Sequence, residues 1–68
     1  MTSAFRIKDH YSTFYITRDQ FDGFRLTRHK EVAETFRHVN DIGQTVNAVY
    51  DAFKKQNRKV LLTVEIVR

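Results

Sequence analysis

The sequence predicts a small α+β domain: an antiparallel sheet of three or four strands with an αα-hairpin packed on one face. Three observations predict it. Short stretches near both ends of the chain alternate apolar and polar residues, which is the period of a strand. The middle of the chain changes to helical spacing. The 68 residues contain only two Gly and no Pro, so few breaks interrupt regular elements. The expected order is β-β-β-α-α-β, in one domain spanning residues 1–68.

The elements follow in turn. In residues 4–8, Phe5 and Ile7 alternate with Arg6 and Lys8, a short strand. Asp9 and His10 suggest a turn. Residues 11–18 are rich in β-branched and aromatic types, with Phe14 and Ile16 on one face and Thr13, Tyr15 and Thr17 on the other. Asp22-Gly23 is a turn signal, because Gly tolerates positive φ. A strict two-residue turn there would set Asp19 opposite Leu26 on the core face, so a longer loop over residues 19–23 is expected. Phe24 and Leu26 then alternate with Arg25 and Thr27 as a third strand.

Val32, Ala33, Phe36 and Val39 recur at helical spacing, and Thr27 can cap them, which predicts helix one from Arg28 to Val39. Asn40, Asp41 and Gly43 punctuate. Ile42, Val46, Val49, Tyr50 and Phe53 form a second helical stripe, ending near Gln56 and Asn57. Asp41 with Gln44 resembles a capping box. Residues 59–67 close the chain as a strand, with Val60, Leu62, Val64 and Ile66 facing one way and Leu61, Thr63, Glu65 and Val67 the other. The two helices with a Gly-containing turn invite comparison with a helix-turn-helix, but Gly43 falls too late for its short turn. An αα-hairpin on a sheet is the expected arrangement.

Composition excludes several classes. There is no Cys, hence no disulfide or thiolate metal site, which fits a reducing cytosol and a cytoplasmic location. The N-terminus is charged by residue 6 and lacks the apolar core of a signal peptide. The longest apolar stretch, Val60 to Val67, is interrupted by Thr63 and Glu65, so no membrane partner is expected. Ser3 and Ser12 lack a nucleophile context. His10, His29 and His38 have no ligand spacing, and Asp19 with Asp22 supplies too few oxygens for calcium. Gly23 and Gly43 stand alone, so no phosphate loop is present. Neither enzymatic activity nor a cofactor is expected. His38 is expected at the end of helix one as a partner of its dipole.

Function is sought in the charge, formally +4. Short connections make neighbouring strands antiparallel. Strands one and three then run toward the same end of the sheet, where helix one starts and helix two finishes. That end collects Lys8 and His10, the cluster Arg28, His29 and Lys30, and the acid-free run Lys54, Lys55, Arg58 and Lys59. Asp19, Asp22 and Asp41 gather at the other end. Cations in a last helical turn complement the dipole, but those in a first turn oppose it, as a phosphate contact would require. The sheet face away from the helices would show Arg6, Lys8, Thr13, Tyr15, Thr17, Arg25, Thr27, Thr63 and Glu65, with Tyr15 and Arg25 placed to contact bases. A non-enzymatic nucleic-acid-binding module, taking DNA or RNA on this basic pole, is therefore one expectation. The other is a protein-interaction or homodimerising module, using Leu61, Thr63, Glu65 and Val67 of the last strand.

Overall fold

A computed structural model of the chain describes residues 4–20, 23–37 and 41–67. Expectations resting on Asp22, His38, Val39 and Asn40 lie outside those residues. Strands β1 (Ala4–Asp9), β2 (Tyr15–Arg18), β3 (Phe24–Thr27) and β4 (Leu62–Val67) form one sheet in the order β3-β2-β1-β4. Every neighbouring pair is antiparallel. One helix, α1 (Ile42–Lys55), packs on one face. The α+β class and the four-stranded antiparallel sheet agree with the sequence reading; the αα-hairpin does not.

Strand β2 begins at Tyr15, later than expected, because the preceding residues wrap around Asp9. Its carboxylate accepts from the Ser12 hydroxyl at 2.7 Å and from the backbone N–H groups of Ser12 at 3.1 Å and Tyr11 at 3.3 Å. The turn forces Thr13 to φ 62°, a left-handed conformation that a β-branched residue seldom adopts. Strands β2 and β3 pair from Arg18 with Phe24, so their connection is longer than a two-residue turn, as expected, and Ile16 stands opposite Leu26. Gly23 does not take positive φ. Its N–H donates to Asp19 Oδ1 at 2.8 Å, and a Cβ at Gly23 would stand 2.9 Å from that carboxylate. Close approach, rather than φ, is what Gly provides here.

Helix α1 matches the second helical stripe. Val49 and Phe53 are fully buried against Phe5, Ile7, Ile16, Phe36 and Val60, with Ile42, Val46 and Tyr50 at the margin. The capping box does not form: Asp41 makes no side-chain cap bond, and its φ −103°, ψ 18° is not the extended conformation that such a cap needs.

Over its described residues, 28–37, the segment predicted as helix one is not α-helical. It holds a single 3-10 turn, Lys30–Val32, after which Ala33 is extended at φ −60°, ψ 141°. The reason is a gap in the sheet. Strands β1 and β2 pair only at Lys8 and Tyr15. Beyond that point they diverge, and Phe5 and Ile16 need other partners. Glu34 donates its N–H to the Ile16 carbonyl at 3.0 Å, and Phe5 and Phe36 exchange backbone bonds of 2.8 and 2.9 Å. The Phe36 ring stacks on Phe5 at 5.3 Å. An intrasegment helix would leave these groups unpaired and this ring unstacked, so the extended form prevails.

The chain thus passes from one sheet face to the other. Leaving β3, it crosses the face opposite α1, where Val32 accepts a hydrogen bond from Thr17 Oγ1 at 3.0 Å. It then lies in the gap beside Phe5 and continues to α1. The face expected to be open is partly covered, and Thr17 and Thr27 are buried. Asp9 also accepts the Leu61 N–H at 3.0 Å, tying the first turn to the entry of β4.

Candidate nucleic-acid interface

The basic run at the end of α1 has a defined backbone. Arg58 N–H donates to the Phe53 carbonyl at 2.9 Å, and Asn57 N–H to the Lys54 carbonyl at 3.0 Å. With Asn57 at φ 55°, this is a Schellman turn, in which Asn takes the left-handed position usually given to Gly. Val60, buried beyond the turn, anchors its far side. Lys54, Lys55, Arg58 and Lys59 are all exposed. None makes an ion pair among the described residues. Lys54, Arg58 and Lys59 line a shallow groove of about 380 Å³ together with Tyr50, Asp51 and Asn57.

The other expected cations sit elsewhere. The strand registers place Thr27, Tyr15, Lys8 and Thr63 in one row across the sheet. Arg28 therefore leaves the β3 edge, three strand spacings or about 14 Å from β4. His29 Nδ1 lies 3.7 Å from Glu31, an ion pair when the imidazole is protonated. Lys30 turns onto the covered face and meets Glu65 at 3.4 Å. Arg25 is exposed on β3, opposite Thr17. Arg28 leaves the sheet at its β3 edge and Lys59 lies just before β4 at the other, while Lys30 reaches across the face away from α1 to Glu65 of β4, so the mid-chain cluster is divided. Without helix one, nothing folds Arg28 and Lys30 back toward α1.

Tyr15 is not a free stacking platform. Its hydroxyl donates to Glu65 Oε2 at 3.1 Å, while Arg6 and Lys30 approach Glu65 Oε1 at 3.7 and 3.4 Å. Lys8 stands over the Tyr15 ring at 5.8 Å. The Tyr15 hydrogen bond, aided by Lys30 and Arg6, holds the Glu65 carboxyl below its ordinary value against the opposing effect of burial. Arg6 Nε, within this network, is buried without a partner among the described residues. The face carries a polar cluster centred on Glu65, which takes up the Tyr15 hydroxyl, Arg6 and Lys30.

On β4, Thr63, Glu65 and Val67 stand opposite Lys8, Arg6 and Ala4, on the face away from α1 as expected. Leu61, just before the strand, is 42% exposed. The sequence reading missed two structural roles. Asn57 could have been found as an Asn two residues past a lysine-ended helix, a known signal for a left-handed cap. Asp9 was read as a turn residue, and its bonds to Tyr11 and Ser12 agree with that; its bond to the distant Leu61 N–H had no local signal. No helix among the described residues is long and apolar enough to cross a membrane. Comparison with protein-family models, curated proteins and solved structures finds no match to this chain.

Proposed function

We propose that this chain is a small non-enzymatic module that binds nucleic acid by its phosphates, through the turn Lys54–Lys59, without reading bases. One observation carries the proposal: four cations in six residues, without a carboxylate partner among the described residues, on a hydrogen-bonded turn. Cations already held by carboxylates would have to exchange one anion for another; these four do not. Lys54 and Lys55 also complement the α1 dipole, but Arg58 and Lys59 lie beyond the helix and gain little from it. With the Tyr15 hydroxyl on Glu65 and Lys8 over its ring, the proposal assigns Tyr15 no base contact, so affinity should be electrostatic and largely independent of sequence.

Anisotropy titrations with labelled duplex DNA and duplex RNA across a salt series test this. Four neutralised phosphates predict a log–log slope of about −3.6 on DNA. Replacing Arg58 and Lys59 together with Glu should weaken binding about tenfold to a hundredfold at low salt. Absence of binding to either duplex at low salt, or affinity that ignores salt, overturns the proposal.

A further inference from the structure

We infer that the outer edge of β4 is the surface on which a second copy of this chain pairs, antiparallel, about a two-fold axis at Val64. The inference starts from the direction of the backbone groups. His10 N–H donates to the Leu61 carbonyl, and Phe5 exchanges both of its backbone bonds with Phe36, on the side of β1 away from β4. Bonded and non-bonded pairs alternate along an antiparallel ladder. With Asp9 opposite Leu62 and Phe5 opposite Ile66, the bonded pairs are therefore Lys8–Thr63, Arg6–Glu65 and Ala4–Val67. Leu62, Val64 and Ile66 must then turn their N–H and C=O groups outward. No strand among the described residues lies beyond β4 to receive them.

The same residues leave apolar surface uncovered. Val64 is 38% and Ile66 45% exposed, although both lie on the helix-facing side of the sheet. The core extends to Leu62 but not to them. Natural edge strands are usually guarded by Lys, Pro or a bulge, and β4 has none of these.

The pattern matches itself. A two-fold axis at Val64 sets Leu62 opposite the partner's Ile66 and Val64 opposite the partner's Val64 on one face, with Thr63 opposite the partner's Glu65 on the other. An axis at Glu65 would instead oppose two carboxylates directly, which is unfavourable. One contact must yield: Leu62 N–H now donates to the Tyr50 hydroxyl at 2.9 Å and would transfer to the partner's Ile66 carbonyl. Tyr50 thus competes with the second copy. The edge meets the groove of the basic turn at Tyr50, but the pairing uses none of Lys54, Lys55, Arg58 and Lys59, so the two proposals are tested on different residues.

Sedimentation equilibrium of the full chain, from micromolar to near-millimolar concentration, should show the mass rising from monomer to dimer. Val64→Lys should stay monomeric with an unchanged circular dichroism spectrum. Amide exchange keeps the test valid should that variant misfold: in the wild type, Val64 and Ile66 should become protected as concentration rises, while Thr63 and Glu65, already bonded to β1, change little. Tyr50→Phe should tighten association about tenfold, since Leu62 N–H no longer has to leave the hydroxyl. A wild-type chain that stays monomeric at the highest concentration overturns the inference. So does dimerisation without new protection at Val64 and Ile66. Unchanged or weakened association of Tyr50→Phe overturns the axis at Val64.

Discussion

Asp9 shows how much of this small fold can depend on one side chain. It lies on the helix-facing side of β1, 3% exposed, and its carboxylate receives the N–H groups of Tyr11, Ser12 and Leu61 and the Ser12 hydroxyl. Burial opposes its ionisation, but the bonds from Leu61, Ser12 and Tyr11 together outweigh burial and hold its pKa below the ordinary value of 3.8. Asp9→Ala would leave several of these donors unpaired and should destabilise the fold by about 2–3 kcal/mol. For a chain of this length that is a large share of the total, and urea unfolding would measure it. The pH dependence follows from the direction of the shift. Below its unfolded pKa the unfolded chain binds the proton more readily than the folded one. The stabilisation is therefore complete above pH of about 4 and is lost as pH falls through the lower folded value. Glu65 is held down as well, so Asp9→Asn should flatten the acid limb of stability without abolishing it. An acid limb identical to wild type would show that Asp9 is not stabilised as its contacts imply.

At the scale of elements, local patterns served well wherever the partners were close in sequence. The β2–β3 loop and its register followed from keeping Asp19 away from the core face. The stripe of Ile42, Val46, Val49 and Phe53 placed α1 correctly, because a helix makes its own backbone bonds. Residues 28–37 failed for the opposite reason. Val32, Ala33 and Phe36 suit a helix by spacing, yet Val32 is 49% exposed, while Ala33 and Phe36 are buried by a turn followed by an extended stretch. What decides the segment is the divergence of β1 from β2 and the waiting backbone of Phe5, and neither is visible locally. The open stacking face was lost with helix one, since the same residues now cross that face. Amide exchange distinguishes the two forms. Glu34 and Phe36, bonded to Ile16 and Phe5, should exchange slowly, and the intervening Thr35 quickly. Protection of all three in succession would indicate a helix and contradict the described fold.

For the molecule as a whole, the sequence carried the charge but not its distribution. A formal net charge of +4 is shared between a bound set and a free set. Arg6 and Lys30 are spent on Glu65, and Arg18 on Glu34 at 3.3 Å. The cations of the turn Lys54–Lys59 are exposed and make no ion pair among the described residues. A small domain with one helix also leaves β4 half covered, so its apolar edge meets the groove of the basic turn at Tyr50. We propose that the turn, and not the sheet face, meets nucleic acid. Adding a short DNA duplex to the isotope-labelled chain and following every backbone amide by NMR tests it most directly. The amides of Lys54 to Lys59 should shift together at low salt and return as salt is added, while those of Tyr15, Arg25 and Glu65 stay in place. Shifts centred on Tyr15 and Arg25, or no shifts at any salt concentration, would contradict it.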